Sequence, residues 1–198
     1  MTDSREHILQ TAYLLFIKKS YKAVTFKELM EKTGFSKGAF YHYFKSKEHI
    51  FEEIINNYFL SFDSFDFNQL NHSSFRKFLN EYFKILKENR AHLSIVDPDT
   101  GKEIKHYQLI FEALQIMPDL RSKLLKHEAK ELAAWKTIIK KARDTNEISS
   151  KLSDTQLARL FINSSDGTAI HLIMTDNTDD MEKDIKAVWD SLYTLIKV

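Results

Sequence analysis

Residues 24–51 read VTFKELMEKTGFSKGAFYHYFKSKEHIF, and their capping residues decide the fold of this part of the chain. Thr25 stands three residues before Glu28, which is the capping-box pattern of a helix start. Gly34 provides the backbone freedom of a tight turn, and Ser36 is a typical N-cap for a second short helix. The stretch therefore predicts a helix-turn-helix, the motif that lays its second helix in the major groove of DNA.

Apolar and polar side chains separate onto two sides of this motif. Six apolar residues can lock the helix pair from inside: Phe26, Leu29, Met30, Phe35, Phe40 and Phe44. The outer side keeps residues that suit a polyanion: Ser36, Lys37, Gly38, Ala39, Tyr41, His42 and Tyr43. Lys37 can donate to guanine edges, and Gly38 permits close approach to the bases. Tyr41 and His42 can donate to phosphates, and so can Lys47 in the first turn of the next helix.

Helical periodicity extends in both directions from the motif. Only four glycines and two prolines occur, and apolar residues recur three and four positions apart. A first helix runs from Asp3 to about Ser20, and Ser46 caps the helix that follows the motif. Later helices are predicted at about 75–86, 102–117, 119–145, 154–175 and 181–196. We therefore expect an all-α fold of about nine helices.

Composition and charge narrow the class of protein. The sequence has no cysteine, which excludes disulfide frameworks and cysteine-ligated metal sites. Its first residues, MTDSREH, are polar where a secretory signal needs an apolar run, and no stretch approaches the ~20 apolar residues of a membrane span. Residues 1–50 carry nine Lys or Arg against five Asp or Glu, and the remaining 148 residues carry 20 against 23. A basic head suits phosphate binding, and we expect a cytoplasmic protein without membrane contact, metal or cofactor.

The sequence from Ile8 to about residue 55 closely resembles the tetracycline-repressor (TetR) family of bacterial regulators, above all in TGFSKGAFYHYFKSKE at 33–48. The resemblance implies three DNA-binding helices, a connecting fourth helix, and a larger helical domain that dimerises and binds an inducer. The corresponding domains are residues 1–46 and 47–198. The base or groove contacts that it implies are Ser36, Lys37, Gly38 and Ala39, and the phosphate contacts are Thr25, Tyr41, His42 and Lys47.

Ser20 departs from the family pattern, which usually has glycine at this position. Glycine there ends the first helix in the left-handed conformation. A serine carries a modest backbone cost in that conformation, so we expect a slightly strained turn and an unchanged fold.

The last two helices are the expected dimer interface. The helix at 154–175 is apolar almost all round, and its Gly167 can admit a close approach of another helix. The helix at 181–196 carries an apolar stripe. The residues predicted at the interface are Phe161, Ile170, His171, Met174, Val188, Trp189 and Leu192. A four-helix bundle of two copies presents two recognition helices to a palindromic operator. The alternative is that these apolar residues only fill the core of a monomer.

The body is expected to bind a small organic ligand. The resemblance places five candidate residues there: Tyr58, Tyr82, Tyr107, Phe111 and Trp135. Glu128 is a candidate on chemistry, because it lies at the centre of an apolar stripe where a carboxylate needs either a ligand or a basic partner. His127 and Glu131 lie four residues apart, but two side chains make no metal site, so we interpret them as a surface pair.

Three classes of function compete. An enzyme is not expected, because the chain has no phosphate-binding glycine loop, no three-ligand metal motif and no Ser-His-Asp constellation. We expect a transcriptional regulator released from DNA by a small molecule, and a repressor rather than an activator, although the resembled family includes both. The alternative is a DNA-binding dimer controlled by a protein partner. An apolar cavity in the body favours the metabolite, and an exposed apolar patch favours the protein.

Overall fold

The computed structural model describes residues 2–59, 66–70, 72–93, 107–175, 177 and 180–198. Within these ranges the chain forms nine α-helices and no β-strand, which confirms the all-α prediction. The helices are α1 Thr2–Lys19, α2 Phe26–Thr33, α3 Lys37–Tyr43, α4 Lys47–Ile54, α5 Phe75–Leu93, α6 Tyr107–Ile116, α7 Leu120–Asp144, α8 Asp154–Met174 and α9 Met181–Ile196. No helix in the described ranges is long and apolar enough to cross a membrane.

Packing divides the chain into two compact units. The first contains Met1–Ser64 with Ala91–Lys123, and the second contains Phe65–Arg90 with Leu124–Val198. Helices α1 to α4 and α6 therefore belong to the first unit, whereas α8, α9 and most of α5 and α7 belong to the second. The predicted domain boundary after residue 46 separates a DNA-binding part from a ligand-binding and dimerisation part, and it stays a prediction.

Helix α1 contributes one buried face to the core of the first unit. The side chains buried on it are Ile8, Leu9, Ala12, Tyr13, Leu15 and Phe16. The ring of Phe16 lies 5.5 Å from the rings of Tyr21 and Phe51, so α1, the turn after it and α4 share one aromatic cluster. Arg5 adds an ion pair to Glu53 on α4. Helix α4 is thereby fixed against α1, and the motif between them is held at both ends.

An aromatic core around Trp135 holds the second unit together. Trp135 on α7 is fully buried, and its ring lies 5.1 Å from that of Phe78 on α5 and 5.5 Å from that of Phe161 on α8. The Trp189 ring on α9 lies 5.4 Å from Trp135, and its indole N–H donates to the carbonyl oxygen of Phe161 at 3.0 Å. Each such ring removes on the order of 200 Å² from water. Four helices are therefore joined by one cluster of rings.

Helix starts in the second unit are capped both locally and from a distance. Ser153 and Gln156 form a capping box at the start of α8. Glu147 accepts hydrogen bonds from the backbone N–H groups of Phe75 at 2.8 Å and Arg76 at 2.9 Å, at the start of α5. A carboxylate at a helix start satisfies backbone N–H groups that lack a partner within the helix, and it interacts favourably with the positive end of the helix dipole. Spacing alone does not reveal this cap, because 72 residues separate Glu147 from Phe75.

Candidate functional site

Local capping builds α2 and the turn that follows it. The Thr25 Oγ1 accepts from the backbone N–H of Glu28 at 3.1 Å, and Gly34 ends the helix in the left-handed conformation with a φ of 72°. Glu28 does not complete a capping box, because its carboxylate pairs with Lys19 Nζ at 2.5 Å. The Thr25 hydroxyl, exposed at the helix start, keeps its hydrogen free to donate outward.

Aromatic packing docks α3 on α2. The Ser36 Oγ caps α3 by accepting from the backbone N–H of Ala39 at 3.3 Å. Phe40 is fully buried, and its ring meets that of Phe26 edge-on with centroids 5.0 Å apart. Phe44 is also fully buried. The contact of Phe26 with Phe40 confirms that aromatic residues lock the helix pair and fix which side of α3 faces outward.

The outward side of α3 is polar and open. Its exposed residues are Ser36, Lys37, Gly38, Tyr41 and His42, and Ala39 beside them is half-buried. Within the described chain Lys37 has no carboxylate partner, and its ammonium lies 6.0 Å from the centre of the Tyr41 ring. An exposed cation that the fold leaves without a counter-charge is available for a phosphate or a base edge.

Gly38 is not required by the packing of the protein itself. A Cβ added at this position meets no heavy atom within 4 Å, and the residue lies in a regular helix. Glycine lowers helix stability relative to alanine, so its presence on the outer face has no explanation in the fold. A close approach of this face to another molecule explains why position 38 is glycine.

Lys47 has partners that the sequence does not reveal. Its ammonium donates to the backbone carbonyl oxygens of Tyr21 at 2.9 Å and Val24 at 2.8 Å, and it lies 4.1 Å above the Tyr21 ring. Lys47 therefore holds the turn that precedes Thr25. One of its three N–H groups remains for the predicted phosphate contact, which stays a prediction.

Tyr21 joins this turn to two further helices of the first unit. Its backbone N–H donates to Glu112 on α6 at 2.8 Å, and its hydroxyl donates to Glu48 on α4 at 2.8 Å. Burial, together with the hydrogen bond to Glu48, raises the pKa of the Tyr21 hydroxyl well above its usual value. Backbone hydrogen bonding first, and then the Tyr21 hydroxyl, lowers the pKa of Glu48. This network is absent from the sequence prediction, because its members are distant in the chain.

Ser20 ends α1 with a φ of 69°, in the left-handed region where the sequence predicts that glycine is preferred. The left-handed turn is therefore present with serine in place of glycine, and the backbone cost of serine there stays a prediction. Ser20 lies immediately before Tyr21 and next to the carbonyl groups that Lys47 binds.

The predicted ligand residues divide into several environments. Glu128 is half-exposed and pairs with Arg159 on α8 at 3.1 Å, so the basic partner that the sequence left open is present. Phe111 is 68% exposed in the first unit, whereas Tyr82 and Trp135 belong to the core of the second. The side chains of Tyr58 and Tyr107 lie outside the described part of the structure. None of these assignments as ligand contacts is tested by the fold.

Glu131, rather than Glu128, is the carboxylate that burial affects most. It accepts a hydrogen bond from the hydroxyl of Tyr82, and desolvation raises its pKa to about 7. The neighbouring carboxylates of Asp166 and Glu128 raise the pKa further, and the Tyr82 hydrogen bond opposes them. The interpretation of Glu131 as half of a surface pair with His127 is therefore wrong, because α7 turns Glu131 toward α5.

Two predicted dimer residues need correction. Phe161 is fully buried and Trp189 is 3% exposed, both in the protomer's own core, so neither can contact a second chain. By contrast, Ile170 is 55% and Met174 is 80% exposed on the opposite face of α8. The rest of the predicted set is also accessible: His171 is exposed, and Val188 and Leu192 are half-buried.

Comparison with known proteins concerns the motif first. Residues 8–54 match the family described as bacterial regulatory proteins, tetR family. An uncharacterized HTH-type transcriptional regulator of Bacillus subtilis, YerO, is 48% identical over 48 residues, which are 24% of this chain and 17% of that protein. The HTH-type transcriptional regulator QacR of Staphylococcus aureus is 44% identical over 52 residues, 26% of this chain and 28% of QacR. The matches thus span less than a third of these relatives.

Solved structures extend the likeness of fold to the whole chain. The structure of SmeT, the repressor of a Stenotrophomonas maltophilia multidrug efflux pump, matches with a TM-score of 0.61 and 17% identity, over 98% of this chain and 90% of that one. Reduced NemR of Escherichia coli matches with a TM-score of 0.59 and 20% identity, over 95% and 97%. At these identities the likeness concerns the fold alone.

Proposed function

We propose that this chain, which belongs through residues 8–54 to the tetR family of bacterial regulatory proteins, is a cytoplasmic homodimeric repressor released from a palindromic operator by a small organic ligand. The observation that carries the proposal is the outer face of α3. There the fold leaves Lys37 exposed without a counter-charge and Gly38 without a packing role. DNA binding explains both the exposed cation at position 37 and the glycine at position 38.

In this proposal α3 enters the major groove by its N-terminal end. Lys37 reaches guanine edges, and Gly38 lets the helix backbone approach the bases. Ser36 and Ala39 lie beside them on the same turn, while the hydroxyls of Thr25 and Tyr41 and the ring of His42 donate to phosphates. Lys47, already bound to two carbonyl groups, holds the Thr25 end of the motif in position.

The proposed dimer forms through the apolar residues left exposed on α8 and α9. They are Leu160, Ile170 and Met174 on α8 and Leu195 on α9, with Val188 and Leu192 half-buried beside them. Gly167 is exposed within the α8 set, and a Cβ there meets nothing within 4 Å in the protomer, which suits close helix approach. A two-fold dimer sets two recognition helices about 34 Å apart, one turn of B-DNA.

Release by a ligand requires a connection to the motif. The hydrogen bond from the Tyr21 N–H to Glu112 ties α6 to the turn that Lys47 also holds. A ligand that displaces α6 moves this turn, and with it the start of α2. The repressor names of relatives such as KstR2 of Mycolicibacterium smegmatis favour repression over activation for this chain.

Operator selection from random duplex DNA tests the proposal. The purified full chain is expected to enrich a palindrome, and enrichment is expected to weaken at higher salt because phosphate contacts release counterions. Lys37→Ala should lose the palindrome, whereas Lys136→Ala, the same charge change at an exposed residue of α7, should retain it. No enrichment by the wild-type chain at low salt, or equal enrichment by Lys37→Ala, contradicts the proposal.

A further inference from the structure

Lys37 differs from several other helical lysines in the residue that lies one turn after it. Within the described residues, four lysines pair with a carboxylate four positions further along their own helix: Lys27 with Glu31, Lys84 with Glu88, Lys140 with Asp144 and Lys186 with Asp190. The residue four positions after Lys37 is Tyr41, and the Lys37 ammonium lies 6.0 Å from the centre of its ring. Side chains at this spacing are neighbours on one face of a helix. Helix α3 therefore places an aromatic ring where these other helices place a counter-charge.

A ring and a carboxylate affect a DNA-binding lysine differently. Both attract the ammonium group, so both restrict the directions that the flexible lysine side chain adopts. A carboxylate also opposes the charge of the lysine and repels phosphates, whereas an aromatic ring has no net charge. The Tyr41 ring therefore restricts Lys37 and preserves its attraction to DNA.

The Tyr41 ring is itself held by the core of the helix-turn-helix. Its centre lies 5.1 Å from that of Phe26 on α2, and the Phe26 ring in turn meets fully buried Phe40 edge-on at 5.0 Å. Tyr41 nevertheless remains 46% exposed, and its hydroxyl has no hydrogen-bond partner in the part of the chain that the structure describes. The ring therefore has a supported position beside Lys37, and the hydroxyl remains available for a phosphate.

Restricting Lys37 matters for the choice between bases. Guanine presents two acceptors, O6 and N7, in the major groove, whereas adenine presents an acceptor and a donor. A lysine that moves freely can leave an unsuitable base and contact a phosphate instead, which reduces the cost of the wrong base. A lysine held by a ring has fewer such alternatives and loses less entropy when it binds. Restriction therefore increases the preference for guanine.

We propose that Tyr41 is a positioning residue for base recognition, and that its ring directs the Lys37 ammonium to a guanine edge independently of any phosphate contact of its hydroxyl. The packing of Tyr41 on Phe26, and of Phe26 on Phe40, then connects the rigid core to the group that contacts the base. This inference rests on the proposed function, because it concerns the specificity of the same DNA-binding face.

Two DNA duplexes that differ at one base pair in each half-site test the role of Tyr41. One is the palindrome that the full-length wild-type protein selects. In the other, an A·T pair replaces the G·C pair whose enrichment is lost in Lys37→Ala. Fluorescence anisotropy at one salt concentration gives the dissociation constant of each duplex, and the quotient of the two is the discrimination ratio. The wild-type protein is expected to prefer the guanine duplex roughly tenfold or more.

Tyr41→Phe and Tyr41→Leu separate the ring from the hydroxyl. Phenylalanine keeps the ring, so this variant is expected to bind both duplexes more weakly and to keep the discrimination ratio. Leucine removes the ring as well and is expected to lower the ratio roughly two- to fivefold. The exposure of Tyr41 and the helix propensity of leucine favour folding, which circular dichroism checks. Tyr41→Met, which also lacks a ring, decides the outcome should Tyr41→Leu not fold.

The same exchange in a Lys37→Met background tests whether the ring acts through Lys37. Methionine keeps an unbranched side chain and removes the charge. In this background Tyr41→Phe and Tyr41→Leu are expected to have equal discrimination ratios, because no ammonium group remains for the ring to hold. A merely structural role of Tyr41 lowers the affinity for both duplexes alike and leaves the ratio unchanged in either background.

Three results overturn the positioning role of Tyr41. They are a wild-type discrimination ratio in folded Tyr41→Leu, an equal loss of the ratio in Tyr41→Phe, and the same difference between the two variants with and without Lys37. A wild-type protein that enriches a palindrome and gives any of these results loses this inference alone. A wild-type protein that enriches no palindrome loses the proposed function as well.

Discussion

The two units of the molecule place their candidate functional residues differently. In the first unit Lys37 and Gly38 are exposed on α3, while buried aromatic residues such as Phe40 maintain the fold. In the second unit Tyr82 and Trp135 are buried in the core, where the Tyr82 hydroxyl donates to Glu131. DNA binding and stability can therefore be separated by mutation in the first unit, whereas any change at Tyr82 or Trp135 also alters the core of the second.

The exposed apolar face of α8 belongs to the second unit but lies outside its core, so it can be changed without altering the core. Disrupting this face should have the largest effect on operator binding. Ile170→Glu combined with Met174→Glu places charges on a face that is open in the protomer, so folding should be retained. Two carboxylates in the proposed apolar interface should prevent dimerisation and reduce operator affinity by roughly 100-fold or more, since half-sites then bind singly.

Analytical ultracentrifugation and operator titration measure these two effects of the double variant. Lys126→Glu combined with Lys130→Glu, on the exposed side of α7, controls for added negative charge. A dimer of unchanged affinity in the Ile170 and Met174 variant places the interface elsewhere.

Glu131→Gln tests how the burial of this carboxyl group affects the stability of the second unit, with an effect on the order of 2 kcal/mol. The folded-state pKa of Glu131, about 7, lies above its ordinary value of 4.5, so the folded protein holds a proton that the unfolded chain releases. The free energy of unfolding therefore falls as pH rises from about 4.5 to about 7 and stays reduced above it. The groups that act on Glu131 are Tyr82 on α5, Asp166 on α8 and Glu128 on α7.

Urea unfolding at pH 5 and pH 8 measures this dependence. The wild-type protein should lose more stability between the two values than Glu131→Gln, whereas Glu88→Gln, the same change at an exposed residue of α5, should behave as the wild type. Equal losses in the wild-type and Glu131→Gln proteins contradict the burial of this carboxylate.

How much could be predicted from sequence differs between the same two regions. The caps at Thr25, Gly34 and Ser36 are local, because each side chain or backbone angle acts within three or four residues, and the helix-turn-helix followed from them. Partners such as the carbonyl groups that Lys47 binds lie 23 to 26 residues away and depend on how helices pack.

The second unit shows the same limit through helix rotation. Glu128 and Glu131 lie only ~60° apart around α7, so a stripe read from sequence does not decide which of them turns inward. Packing of α7 against α5 and α8 decides it, with Tyr82 on Glu131 and Arg159 on Glu128. For the same reason the sequence does not show which apolar residues of α8 are buried in the core, as Phe161 is, and which are exposed, as Ile170 is.

Gly38→Ala tests whether DNA binding and stability can be changed separately in the first unit. Alanine fits the helix without a contact inside 4 Å and should stabilise the protein by about 0.5–1 kcal/mol. The added methyl group should nonetheless weaken operator binding roughly tenfold, about 1.4 kcal/mol, because it prevents close approach to the bases. Thermal unfolding measures the expected gain in stability, and operator titration measures the expected loss of affinity. Unchanged operator affinity removes Gly38 from the DNA contact.

Ser20→Gly is expected to have the smallest effect and to act on the fold alone. Serine has a φ of 69° here, a conformation that glycine adopts without a Cβ penalty, so the protein should gain about 0.5–1 kcal/mol. Asn146→Gly, at a φ of 58°, should gain less because asparagine tolerates this region. Denaturant unfolding compares the two, and a loss of stability in Ser20→Gly contradicts strain at this turn.

Methylation interference on the selected operator tests most directly whether the outer face of α3 reads DNA. Methyl groups on guanine N7 block the major groove, so the account predicts interference in two clusters centred about one helical turn, 10 base pairs, apart. Lys37→Ala should lose the strongest guanine in both clusters at once. Interference confined to one cluster contradicts the dimer, and its absence at every guanine contradicts major-groove recognition by α3.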